Sequence, residues 1–143
     1  MSQNPIAIST WSVHHLLATL PLEALPVELA QRGYSRVEIC HFHLRSQEPH
    51  YLRQMGKLFR EHGVIIQTLL IDDGDITNPS TREKDMAWIA GWIESAAHLG
   101  AEHARVIAGK AAPTVELLKS SVDGLKTLAA LGVKHDVRVV TEN

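Results

Sequence analysis

Cysteine occurs once in this chain of 143 residues, at Cys40. One thiol excludes an internal disulfide, and a reducing cytoplasm is the compartment it fits. Charge of one sign is also lacking: 14 Lys and Arg against 16 Asp and Glu give a formal net charge of −2. The two signs are mixed along the chain, so no electrostatic footprint for a polyanion or an anionic membrane follows. Neither nucleic acid nor a membrane is an expected partner. Long hydrophobic runs are missing as well. The longest, Val64 to Ile71, is interrupted by Gln67 and Thr68 and is far too short to span a bilayer. Met1-Ser2-Gln3-Asn4-Pro5 lacks the basic start and apolar core of a signal peptide. No Gly/Ser-rich linker, low-complexity tract or charge block interrupts the chain, so residues 1–143 read as one domain. The Gly-x-Ser-x-Gly nucleophile template and a Gly-rich phosphate signature are both absent. Cys40 itself reads as a small buried apolar residue.

What the chain does contain is a repeat, and its 45% hydrophobic content is enough for a real core. Four helical patterns close on glycine before an apolar run: Ala30-Gln31-Arg32-Gly33, Arg60-Glu61-His62-Gly63, Ala97-His98-Leu99-Gly100 and Ala129-Ala130-Leu131-Gly132. The glycines fall 30, 37 and 32 residues apart, the length of one strand–helix unit. Glycine accepts the left-handed backbone that ends a helix, so each is expected to stop one. Strands are expected at Ile6–Ile8, Arg36–Phe42, Val64–Ile71, His103–Ala108 and Val137–Val140. The third, nearly all apolar, suits a strand buried on both faces. Helices follow Pro21 and Pro49, the capping-box pattern Ser80-Thr81-Arg82-Glu83, and Thr114 as a cap.

Strands alternating with helices through short turns specify a parallel sheet with right-handed crossovers. Two architectures fit: an open, doubly wound five-stranded sheet, or the first four βα units and fifth strand of a (β/α)8 TIM barrel. Such a barrel typically needs about 250 residues. In both, ligands bind at the carboxyl ends of the strands. That filter leaves a short set of candidates. Glu142, after the fifth strand, stands where a carboxylate can ligate a divalent cation, or is simply a surface acid. His41 and His43 would share one face of a continuing strand; if the strand stops at His41 they are loop residues. Trp11 can wall a substrate pocket, whereas Trp88 and Trp92 are spaced for packing. Lys110 follows Gly109 and can meet a phosphate or simply face solvent. Asp72, Asp73 and Asp75 around Gly74 have the spacing of a calcium loop without its later glutamate, and fit better a turn that favours the next helix start.

Several segments, in order, resemble one family. They are Val37-Glu38-Ile39; Asp75-Ile76-Thr77-Asn78-Pro79 with Arg82; Ala96-Ala97-His98-Leu99-Gly100-Ala101; Arg105-Val106-Ile107-Ala108-Gly109; and the ending Val139-Val140-Thr141-Glu142-Asn143. Together they are similar to the xylose isomerase-like TIM barrels, the group of sugar-phosphate isomerases and epimerases that also contains the endonuclease IV-like enzymes. The resemblance implies a barrel holding one divalent metal, manganese, magnesium, cobalt or zinc. It implies Glu142 as the metal ligand from the fifth strand and as a catalytic base. The metal would polarise neighbouring oxygens while carboxylates move a proton between carbons through an enediolate. The remaining ligands and second acid/base of the family do not map onto these residues. The chain is therefore expected to be the N-terminal part of a longer protein, inactive alone, with open edges that favour association into a homo-oligomer.

Three functions are compatible with this pattern. The leading expectation is an isomerase or epimerase acting on a sugar, sugar phosphate or polyol, with Glu142 catalytic and metal-binding and with Trp11, His41, His43 and Lys110 touching substrate. A second is an endonuclease for abasic DNA, which the charge balance disfavours. A third is a non-catalytic ligand-binding module in which Glu142 is incidental.

Overall fold

The computed structural model describes residues 6–142; the segment Met1–Pro5 and Asn143 lie outside the described residues. Five strands form one sheet: β1 (Ile8–Ser9), β2 (Arg36–Cys40), β3 (Ile65–Ile71), β4 (His103–Val106) and β5 (Arg138–Val140). All neighbours pair in parallel, and the spatial order is the sequence order, β1 to β5. A doubly wound sheet would reverse its order at a switch point. This sheet does not. Its winding is that of a barrel wall, and the open doubly wound alternative is set aside.

The helices α1 (His14–Leu17), α2 (Leu25–Gln31), α3 (Pro49–Glu61), α4 (Arg82–Leu99) and α5 (Val115–Lys134) occupy the crossovers. One face of the sheet meets them. Val37 and Ile39 of β2, Leu69 and Ile71 of β3, and Ala104 and Val106 of β4 are fully buried against Leu52 and Phe59 of α3 and Ile89, Ile93 and Leu99 of α4. Full burial of one such side chain contributes about 1.5–3 kcal/mol, so this alternating row fixes which face of each strand looks inward. Trp92 is 7% exposed and packs as its spacing suggests, while Trp88 reaches 36%. On α5, Leu128 is buried, but Leu118 and Val122 are exposed.

Local chemistry explains most boundaries. Pro49 takes the first turn of α3, where its missing N–H is no loss. Thr114 Oγ1 accepts the Leu117 N–H at 3.2 Å and caps α5. Gly33, Gly63 and Gly100 have φ of 79°, 72° and 76°, as expected of helix-ending residues.

Five expectations need correction. Gly132 lies inside α5, and the positive φ (56°) falls on Asp136, one of the few non-glycine types that tolerates it. Gly132 is small for a different reason: a Cβ there would overlap the Val137 carbonyl oxygen. Thr81 precedes α4 but makes no capping bond; its hydroxyl donates to Asp85 Oδ2 at 2.8 Å. The helix after Pro21 begins as one 3₁₀ turn, Leu22–Ala24, before α2. The first strand lies later than Ile6, at Ile8–Ser9. β2 stops at Cys40, and His41–His43 curl into a 3₁₀ turn, so His41 and His43 are not partners on one strand face.

Candidate active site

The sheet face turned away from the helices carries a polar row. Register places Ser9 beside Glu38, Glu38 beside Thr68, Thr68 beside His103, and His103 beside Arg138. One step toward the carboxyl ends, Cys40, Leu70, Arg105 and Val140 form the next row. Strand alternation carries this phase onward to Trp11, Asp72 and Glu142, each two residues past a member of one of these rows.

Those residues meet. Arg105 Nη2 is ion-paired to Asp72 Oδ1, with side chains only 12% and 13% exposed. The other oxygen of Asp72 accepts the Trp11 indole N–H at 2.5 Å. Arg105 Nε has no hydrogen-bond acceptor among the described residues, and Glu142 Oε1 lies 3.6 Å from it. Glu142 itself is 70% exposed. One guanidinium thus joins the ends of β3, β4 and β5, and Asp72 carries the link to the loop after β1.

The histidines form a second arm. His41 Nδ1 accepts the Asp72 backbone N–H at 3.1 Å, which ties the β2 and β3 ends together. Burial is the main cause of a lowered His41 pKa, and that bond needs the same nitrogen unprotonated. The ring lies edge-on to Trp88 and Trp92, each 5.2 Å between centroids. His43 Nδ1 bonds Thr10 Oγ1 at 2.8 Å, and burial also lowers its pKa. Thr10 is fully buried; its Oγ1 also accepts the Cys40 N–H at 2.8 Å. The Cys40 thiol, pushed up to about 11 chiefly by burial, stays protonated and inert at neutral pH. At the rim, Trp11 and Phe42 meet edge to face at 4.9 Å and remain 52% and 43% exposed.

Lys110 Nζ pairs with Asp73 Oδ1 at 2.5 Å, and this hydrogen bond is the leading cause of a lowered Asp73 pKa. Asp75 Oδ1 accepts the Thr77 N–H and hydroxyl at 2.9 and 2.6 Å. The aspartate loop is therefore a turn, with Gly74 at φ 84°. Among the described residues, no three His, Cys, Asp or Glu side chains converge to hold a metal. Glu142 faces a guanidinium rather than a second ligand, so these residues do not by themselves fit a divalent ion.

Sequence reasoning missed Arg105 and read Asp72 only as part of a turn. Their signal was a polar residue on the strand face opposite Ala104 and Val106, and a carboxylate two positions past Leu70.

A sequentially wound parallel sheet with its polar cluster at the strand ends defines the class as the (β/α)8 barrel. The family described as xylose isomerase-like TIM barrel matches residues 27–143, and the chain belongs to it. Solved structures agree on the fold. A sugar phosphate isomerase/epimerase from Parabacteroides distasonis superposes with a TM-score of 0.75 at 12% identity, covering 99% of this chain and 51% of that one. D-psicose 3-epimerase, solved in the presence of D-fructose, gives 0.69 at 13% identity, covering 85% and 46%. The 3-keto-D-glucoside 4-epimerase of E. coli gives 0.66 at 15%, covering 85% and 50%. The chain thus spans about half the length of these structures. A search of curated proteins finds no match. No helix among the described residues is long and apolar enough to cross a membrane.

Proposed function

We propose that this chain forms the β1–β5 side of a sugar, sugar-phosphate or polyol isomerase or epimerase. The carrying observation is the exposed Glu142 carboxylate, 3.6 Å from the Arg105 guanidinium at the strand-end mouth. Family membership and epimerases among the structural neighbours support the same reading.

In this account Glu142 takes a proton from a carbon next to a carbonyl and returns it through an enediolate. A base needs a free, accessible carboxylate, and Glu142 is 70% exposed while Asp72 is committed to Arg105 and Trp11. Arg105 orients Glu142 electrostatically. Trp11 and Phe42 wall the substrate with apolar surface suited to the C–H face of a sugar ring. The exposed rims of His41 and His43 and the two uncommitted protons of the Lys110 ammonium offer hydrogen bonds to hydroxyl or phosphate oxygens.

A divalent ion, manganese, magnesium, cobalt or zinc, enters this reading with Glu142 as one ligand. The described residues do not complete its shell, so the chemistry assigned to this chain is that of its side chains. Turnover belongs to an assembly that also supplies a second acid/base, and the 143 residues alone are expected to be inactive. A cytoplasmic setting, a small-molecule partner without nucleic acid or membrane, and a homo-oligomeric state complete the proposal.

The test is turnover by the protein isolated from its natural source, with its intact mass measured on the same sample. Ketoses, aldoses and their phosphates are offered with each metal in turn. Epimerisation or isomerisation that is lost on chelation supports the proposal. Metal-independent behaviour with no sugar converted, or salt-sensitive binding of abasic DNA instead, contradicts it.

A further inference from the structure

His14 and His43 come from different elements, α1 and the turn after β2, yet His14 Nδ1 lies 3.1 Å from His43 Nε2. Their rings are 5.4 Å apart and tilted by 43°, so the nitrogens approach edge to edge rather than through stacked faces. Two imidazoles on one first-row metal at about 2.0–2.1 Å would hold their nitrogens roughly 2.9 Å apart at a right angle and roughly 3.3 Å apart at the tetrahedral angle. The observed separation falls between these.

The support behind His43 also matches such a site. A metal-binding histidine generally anchors its other ring nitrogen to a fixed oxygen, which sets the tautomer and orientation. His43 Nδ1 is 2.8 Å from Thr10 Oγ1. Thr10 is immobile: it is fully buried, its N–H donates to the Glu38 carbonyl at 2.9 Å, and its Oγ1 accepts the Cys40 N–H. In the metal-free chain the 3.1 Å contact is itself a hydrogen bond. With the Nδ1 proton of His43 donated to Thr10, His14 Nδ1 is the donor to His43 Nε2, and its proton leaves when a cation takes its place.

We propose that His14 and His43 form a two-imidazole chelate for a borderline divalent cation of the zinc, nickel or copper kind. Water fills the remaining positions. Imidazole favours these ions over magnesium or manganese. The site is separate from Glu142 and does not rest on the isomerase reading.

Titration calorimetry with zinc chloride on the chelator-stripped protein tests it. One equivalent is expected to bind. His14→Ala and His43→Ala should each weaken binding at least tenfold, and Thr10→Val by about 10–100-fold. His15→Ala should leave it unchanged. His14 is exposed, so its replacement does not threaten folding. Long-range 1H–15N spectra should show zinc shifting His14 Nδ1 and His43 Nε2. Absence of a one-equivalent event at millimolar zinc, or its persistence in both alanine variants, would overturn the proposal.

Discussion

Trp11 and Asp72 lie 61 residues apart in sequence, yet the indole N–H of one donates to Oδ2 of the other at 2.5 Å. This bond orders an aromatic side chain that remains 52% exposed at the mouth. Trp11→Phe removes the donor but leaves Asp72 paired with Arg105. Stability should fall by only about 1 kcal/mol. The larger effect should be on substrate affinity, because the wall loses its fixed orientation. Urea denaturation and KM measured together separate the two.

The Arg105–Asp72 pair is a stronger prediction. Both side chains are nearly buried, so removing one partner leaves a charge without its counter-charge. Asp72→Asn and Arg105→Met should each cost about 3 kcal/mol. The double variant should cost clearly less than the sum, and a denaturant-based double-mutant cycle reads the coupling directly.

Acid should weaken the fold through His41. Burial lowers its pKa below the ordinary 6.5, so the unfolded chain binds the proton more readily than the native one. Stability then rises with pH across that window and is lost as pH falls from 6.5 toward the folded value. His43 adds in the same direction. In His41→Asn the side-chain oxygen can still accept the Asp72 N–H without titrating. The drop in urea midpoint between about pH 7.5 and about pH 5 should shrink in that variant.

Gly56 sits inside α3, where alanine is intrinsically the better helix former by about 1 kcal/mol. A Cβ at this position would overlap the backbone carbonyl of Leu99 on α4. Overpacking against backbone cannot relax by rotamer change and typically costs 1–3 kcal/mol or more. Gly56→Ala should therefore destabilise, and thermal unfolding would show the sign.

The parts of this molecule that rest on neighbours in sequence were legible. Gly33, Gly63 and Gly100 marked helix ends because the left-handed residue is chosen locally. Gly132 misled because a glycine can also be required by a close approach from elsewhere, here the Val137 carbonyl. Thr81 has a capping sequence, but Asp85 lies one turn away and takes its hydroxyl. The candidate site was half visible. Strand-end position picked out Trp11, His41, His43, Lys110 and Glu142, but not their partners. Arg105 and Asp72 are 33 residues apart and meet only through the register of β3 against β4, which periodicity does not encode.

The most direct test of the central claim is solvent exchange at a carbon. The protein from its natural source and its Glu142→Gln variant are incubated with a ketose substrate in D2O, and deuterium at the carbon beside the carbonyl is followed by NMR. The account predicts incorporation by the wild type and a loss of roughly 10²–10⁴-fold in the variant. Exchange at the wild-type rate without the Glu142 carboxylate would contradict it.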